Sequence, residues 1–174
     1  MRLIGKRSAA SALRWVLGAV NVGVLIGILV TTVVAVLLLV SPDARAGFED
    51  GLADSSRPGG IDFVLRPALF LSIAVALGFV WLIINRLRRI FLAVNRGDAF
   101  EHANVKRLQM VGIGLIGMEL TSTVSNVLAP MIDGSEGAGL SVDFQMWMAI
   151  LVVFILAEVF RQGAQMRDDA QMTV

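Results

Sequence analysis

The sequence predicts an all-α fold, an integral membrane four-helix bundle in which two helical hairpins are joined by a structured cytoplasmic turn. Its 174 residues are 56% hydrophobic and only 17% charged, whereas soluble domains are about a quarter charged. Four apolar runs contain no Lys or Arg, at positions 15–40, 67–84, 109–132 and 144–160. As helices they would measure roughly 26 to 39 Å, compared with ~30 Å for the hydrocarbon core of a bilayer. We therefore treat residues 1–174 as a single membrane domain.

The charge distribution predicts the orientation of these spans. Twelve Lys and Arg residues lie before the first run, between the second and third, and after the fourth, whereas three lie in the other two connections. The positive-inside rule then places both termini and the 85–108 loop in the cytoplasm, as expected for a multi-pass membrane protein. The first run has 26 residues, too many for the ~7 to 15 of a signal-peptide core. We expect it to be retained as a span.

The connections differ in their predicted order. Positions 41–66 contain the turn-forming segment 54–60, DSSRPGG, and are expected to be irregular. The 85–108 loop instead has apolar residues at helical spacing, which predicts that the second span continues as an amphipathic helix. That helix should end at Gly97, where a glycine can take the left-handed conformation. Asp98 and Glu101 have the spacing of a capping box, which would begin the helix of the third span.

Two motifs carry a family resemblance. The turn motif, Arg-Gly-x-x-Phe, lies within the segment RRIFLAVNRGDAF at 88–100 and is followed by NVKRL at 104–108. The tail motif, Ala-Glu-x-Phe-x-x-Gly, lies in LAEVFRQG at 156–163 and is followed by DDAQMTV at 168–174. Together they resemble the bacterial domain of unknown function 2975 family, over nearly the whole chain. The resemblance implies a small four-span inner-membrane protein, in some cases encoded beside a short helix-turn-helix regulator, and it implies no activity.

One carboxylate lies within an apolar run. Glu119 is about ten residues, or ~15 Å, from the inner end of the third span, where a charge costs at least ~2.5 to 3.5 kcal/mol. The four runs supply no cation, so we expect Glu119 to be protonated or hydrogen-bonded, with Asn21, Thr31 and 121–123 as candidate partners. An intramembrane acid indicates a proton relay or a substrate site. The alternative is an interhelical hydrogen bond that fixes packing.

Small and polar residues predict where helices approach each other closely. The third span carries Gly112, Gly114 and Gly117, then the polar residues Thr121, Ser122, Thr123, Ser125 and Asn126. The first span has a small residue at every fourth position, at Ala19, Gly23, Gly27, Thr31 and Ala35. This ridge fits packing within one chain and formation of a homo-oligomer equally well.

The candidate site residues divide into three groups. The intramembrane polar group is Asn21, Glu119 and Asn126; the cytoplasmic turn motif supplies Arg89, Arg96, Gly97, Phe100, Asn104, Lys106 and Arg107; the tail motif supplies Glu158, Phe160 and Gly163. The basic loop residues set topology and could also bind anionic lipid headgroups. They lie too close to the membrane to favour direct binding of nucleic acid.

No chemistry beyond binding is indicated. The chain has no Cys and a single histidine, His102, expected to be a solvated loop residue. We therefore predict no metal site and no cofactor, and no acids, histidine and nucleophile converge to suggest an enzyme. The sequence favours a regulatory or interaction protein of the membrane, with a protein partner at the cytoplasmic face that could be a helix-turn-helix regulator. The alternative is a small proton-coupled transporter assembled as an oligomer around Glu119.

Overall fold

A computed structural model of the protein describes residues 9–51, 62–97, 99–133 and 143–172. Within these ranges there are five helices and no strand: α1 Ala9–Val40, α2 Pro42–Gly51, α3 Asp62–Asn95, α4 His102–Asp133 and α5 Phe144–Met172. The all-α class is therefore confirmed. Of the four long helices, α1 contacts α3 at Gly27 and Leu77, and α4 contacts α5 at Gly112 and Phe154.

Four of these helices are long and apolar enough to cross a membrane. The candidate spans are Trp15–Val40, Leu65–Val94, His102–Met131 and Phe144–Ala170. Only 11% to 22% of the residues in their most apolar windows are buried, and many large side chains such as Leu29 and Val152 are more than half exposed. Apolar surface on this scale is not stable in water, so it indicates lipid contact. The chain is a multi-pass membrane protein.

The described residues form two compact units, and the first comprises positions 9–24, 79–116 and 144–172. In this unit α5 buries a narrow seam of Ile150, Ala157 and Ala164, at seven-residue intervals. The glycines of α4 permit close contact, because a Cβ at Gly112 would lie 2.8 Å from the Phe154 ring. A Cβ at Gly114 would lie 2.8 Å from Ile83. The close approach predicted for this part of the third span is confirmed.

The second unit comprises positions 25–51, 62–78, 117–133 and 143. Here a Cβ at Gly27 would lie 3.1 Å from Leu77. At Gly27, therefore, the row of small residues on α1 packs against α3 of the same chain. The Ser72 and Ser125 hydroxyls are 2.8 Å apart and link α3 to α4. A link of this kind is expected where helices pack in lipid.

The segment after α1 is more ordered than predicted. Ser41 caps α2, because its Oγ accepts the Ala44 N–H at 3.2 Å, and Pro42 occupies the first helical position, which favours proline. The Arg45 guanidinium donates to the carbonyls of Leu38 and Leu39 at the end of α1. The expectation of an irregular 41–66 loop was therefore wrong for 42–51, and its turn-forming part at 54–60 lies outside the described residues.

Two helix starts also differ from prediction. α3 begins at Asp62, upstream of the expected span start at 67, so Arg66 lies inside the helix and is buried. α4 begins at His102, and its first turn closes with the Asn104 N–H donating to the Glu101 carbonyl at 2.8 Å. The predicted capping box depends on Asp98, which lies outside the described residues, so it stays a prediction.

Candidate functional site

The α3–α4 turn begins with a glycine in the left-handed region. α3 ends at Asn95, and Gly97 has a φ of 85°. The N–H groups of Arg96 and Gly97 donate to the carbonyls of Ala93 and Val94, each at 3.0 Å. These bonds satisfy carbonyls that the end of a helix leaves open, and the conformation at Gly97 is one that other residues rarely adopt. The predicted helix end is confirmed.

Asn104 holds the turn against the start of α4. Its side chain is fully buried, at 0% exposure. The Asn104 Nδ2 donates to the Ala99 carbonyl at 3.0 Å, and its Oδ1 accepts from the Arg107 guanidinium at 2.6 Å. Arg107 also pairs with Glu101 at 3.3 Å. A buried amide with its donor and acceptor sides both bonded favours one backbone conformation over its alternatives.

The turn motif contacts the tail motif. The rings of Phe100 and Phe160 have centroids 5.4 Å apart, within the range of favourable aromatic pairs. Gly163 leaves room for Phe100, since a Cβ there would lie 2.6 Å from the ring carbon Cδ1. We call this the turn–tail contact. The two motifs, 60 residues apart in sequence, form one structure.

A second link joins the same segments. His102 Nδ1 lies 3.8 Å from Asp168 Oδ2, a charged pair only when the imidazole is protonated. Both side chains are well exposed, so the pair adds little stability. The expectation that His102 is solvated is confirmed, because its side chain is 62% exposed, but the residue begins α4 instead of lying in a loop.

The turn presents basic side chains that have no acidic partner within the described ranges. Glu101, Glu158 and Asp168 each lie within ion-pair distance of Arg107, Arg161 or His102. Among the residues that the structure describes, no ion pair involves the following basic side chains of the same unit: Arg86, Arg88, Arg89, Arg96 and Lys106. Arg89, Arg96 and Lys106 are exposed. The turn therefore carries an excess of positive charge that is open to an anionic partner.

Glu158 of the tail motif bonds only along its own helix. Its carboxylate accepts from Arg161 at 2.6 and 2.8 Å and from Gln162 at 3.1 Å. The three side chains are exposed on α5. The motif thus contributes to the turn–tail contact through Phe160 and Gly163, whereas Glu158 forms a separate polar cluster.

Glu119 is buried, at 7% exposure, in the middle of α4. Its Oε1 accepts the backbone N–H of Asp143, the residue immediately before α5, at 3.4 Å. The expected hydrogen bond is present, but its donor is none of the side chains named from the sequence. Asn126, in the same unit, is exposed. Asn21 belongs to the first unit, where its enclosed Oδ1 has no hydrogen-bond partner in the described part of the chain.

Two features of the site have no signal in the sequence. One is the full burial of Asn104, which no local pattern reveals. The other is the burial of Arg66, which was not predicted because the span was expected to start at Pro67, whereas α3 begins at Asp62. Within the described ranges, no group of three or more His, Asp or Glu side chains is placed to hold a metal ion.

Taken together, the helices and the turn–tail contact define a four-span helical membrane protein with a structured turn between its hairpins. The chain belongs to a family described as Protein of unknown function (DUF2975), whose family model matches residues 42–174. The match includes both motifs. No curated protein is significantly similar to the chain. No solved structure matches it either.

Proposed function

We propose that this protein is a non-enzymatic regulatory or interaction protein of the bacterial cytoplasmic membrane. In this proposal both termini and the α3–α4 turn lie in the cytoplasm, and the turn binds a protein partner. The observation that carries the proposal is the turn–tail contact, which supports a turn whose exposed Arg96 and Lys106 have no ion pair among the described residues.

The geometry favours binding because contacts within the chain already hold several described residues of the turn. Gly97, Asn104 and Phe100 are fixed by backbone conformation, buried hydrogen bonds and ring packing. A preorganised surface loses less conformational entropy on association than a flexible loop does. The exposed Arg96 and Lys106 add electrostatic complementarity, which speeds encounter and selects an acidic partner.

The partner we propose is a soluble cytoplasmic protein with an acidic surface. A helix-turn-helix regulator is the first candidate, because the family resemblance associates some of these membrane proteins with such regulators. Direct binding of nucleic acid is not part of the proposal, since Lys106 lies three residues before the apolar run that begins at Gln109. An enzyme is not proposed either, because the sequence suggests no convergence of acids, histidine and a nucleophile.

Photocrosslinking in native membranes tests this proposal. A photoreactive residue at position 96, in the turn, is compared with one at Val36, which is exposed on α1. We expect position 96 to capture one acidic cytoplasmic protein that position 36 does not. Capture of the same proteins at both positions, or of none at 96, contradicts the proposal.

A second candidate function rests on the buried Glu119. A carboxyl 14 residues from the end of α4, or ~21 Å along the helix, is suited to a proton-coupled transporter assembled as an oligomer. That function requires Glu119→Gln to abolish proton flux in proteoliposomes while the fold persists. Unchanged flux removes this candidate. The hydrogen bond from the Asp143 N–H instead favours a structural role for Glu119.

A further inference from the structure

An open groove of about 660 Å³ runs along α5 in the first unit. We call it the α5 groove, and its lining residues are Phe144, Trp147, Met148, Ile150, Leu151, Phe154, Ile155 and Glu158. Most of them recur at intervals of three or four residues, so they share one side of the helix. Leu151 and Ile155 are at least half exposed. The groove is therefore accessible from outside the chain.

The α5 groove is apolar except at one end. The lining residues at positions 144–155 are apolar, and Glu158 comes last. Glu158 lies two residues, or ~3 Å, before Phe160, where the apolar run of α5 ends. From Glu158 back to Phe144 the groove follows 14 residues, or ~21 Å, which is longer than the ~15 Å of one leaflet. It leads from headgroup depth into the hydrocarbon core.

The polar end of the α5 groove carries both signs of charge and has unused hydrogen-bonding capacity. The Glu158 carboxylate accepts from Nε and Nη2 of Arg161 at 2.8 and 2.6 Å, and from Gln162 at 3.1 Å. A carboxylate can accept about four hydrogen bonds, and a guanidinium has five N–H groups. Glu158 can therefore accept from one further donor, and Arg161 keeps N–H groups that no described residue accepts. Both side chains are exposed.

We propose that the α5 groove binds a phospholipid whose headgroup carries a primary ammonium beside its phosphate, as phosphatidylethanolamine does. The ammonium donates to the Glu158 carboxylate, and the phosphate accepts from Arg161. An acyl chain lies along the apolar part of the groove. Adjacent opposite charges on the protein thus meet adjacent opposite charges on the lipid, at the depth where headgroups lie.

Other occupants match this end of the groove less well. A phosphatidylglycerol headgroup has no cation for Glu158, and the ammonium of phosphatidylcholine has no N–H to donate. A second copy of the chain crosses the membrane in the same direction. Symmetric pairing through this side of α5 would bring two Glu158 carboxylates to the same depth, where like charges repel. The inference does not depend on the protein partner proposed for the turn.

Native mass spectrometry of the full chain tests the inference, with the protein released from bilayers of equal phosphatidylethanolamine, phosphatidylglycerol and phosphatidylcholine. We expect wild type to retain phosphatidylethanolamine preferentially. Glu158→Gln should lower that preference about fivefold, as expected for loss of one charged contact at a membrane surface. Glu101→Gln is the matched control, because it makes the same change in another glutamate–arginine pair, with Arg107, away from the groove. It should change the preference less than twofold.

A second pair of variants tests the apolar part of the groove. Leu151→Trp fills it and should lower retention of phosphatidylethanolamine several-fold. Val152→Trp adds the same ring at an exposed neighbouring position that does not line the groove, and it should change retention less than twofold. Circular dichroism and gel filtration of all four variants should remain as in wild type.

Three outcomes would overturn the inference. The first is equal retention of phosphatidylethanolamine and phosphatidylcholine by wild type. The second is an equal loss in the groove variant and the control of either pair. The third is a dimer that persists without lipid and is lost in Leu151→Trp, since a second copy would then cover the groove. Capture of a protein at position 96 is expected to survive Glu158→Gln, so this inference and the proposed function fail separately.

Discussion

Replacing Gly163 with alanine should weaken the turn–tail contact, but only while the Phe100 ring is present. The added Cβ would lie 2.6 Å from Cδ1 and 2.7 Å from Cε1 of that ring, well inside van der Waals contact. Either the ring or α5 must therefore move. Replacing Phe100 with alanine removes the obstacle, so the two substitutions form a double-mutant cycle.

The magnitude follows from two opposing terms. Overpacking of a well-packed contact costs about 1–3 kcal/mol, whereas alanine is favoured over glycine within a helix by about 0.8–1.0 kcal/mol. Gly163→Ala should therefore destabilise the contact by roughly 0–2 kcal/mol in wild type. In the Phe100→Ala background it should stabilise α5 by about 1 kcal/mol. The coupling free energy between the two substitutions is then about 1–3 kcal/mol. It corresponds to roughly 5- to 150-fold in the equilibrium between the closed and the open first unit.

Thiol labelling measures that equilibrium directly, because the chain has no native cysteine. A cysteine replacing Val105, which is 5% exposed in the same unit, reacts with a maleimide only when the unit opens. Its labelling rate therefore follows the open population. Gly18→Ala is the control, since a Cβ there meets nothing within 4 Å, and it should leave the rate unchanged or lower it.

The reasoning would be refuted by a particular outcome of the cycle. If Gly163→Ala changed the labelling rate by the same factor with and without the Phe100 ring, the two residues would not be in contact. The turn motif and the tail motif would then have no structural connection through this pair.

Three other predictions concern single features. Asn104→Ala leaves the Ala99 carbonyl without its side-chain donor and should lower the free energy of unfolding by about 1–3 kcal/mol. Thermal unfolding in detergent measures this loss, and a stability equal to that of wild type contradicts the prediction. Glu119→Gln keeps an acceptor for the N–H that precedes α5 and should melt near wild type, whereas Glu119→Leu should melt lower; identical melting of the two variants contradicts it. Single cysteines at Gly47 and Arg96 should be labelled from opposite sides of the membrane, with only position 96 protected from an impermeant maleimide in intact cells; labelling of both from outside contradicts it.

The spans could be predicted from the sequence because they depend on composition, which is local. Each apolar run became a long helix, and the end of α3 at Asn95 was marked by a glycine whose conformation is nearly unique. The errors lie where two local signals compete. Ser41 and Pro42 can open an irregular loop as readily as they can cap a helix, and here they cap α2. The helix that was expected to begin after Asp98 starts at His102.

The site was predictable in its members but not in its arrangement. Phe100, Phe160 and Gly163 were named because they belong to motifs. Their contact depends on α5 returning beside the turn, and no local pattern gives the register between two helices. Burial of Asn104 was not predicted either, since a short polar residue near a helix start is usually solvated. Tertiary packing therefore decides what the motifs do.

The central claim is that the turn, held by the tail, binds a protein. Photocrosslinking at position 106 in native membranes, with Phe100 intact and with Phe100→Ala, tests it most directly, because Lys106 is exposed and does not take part in the turn–tail contact. The account predicts one acidic partner that is captured with Phe100 and lost, or reduced several-fold, when the ring is removed. Capture that is unchanged by loss of the ring, or no specific protein in either case, would contradict it.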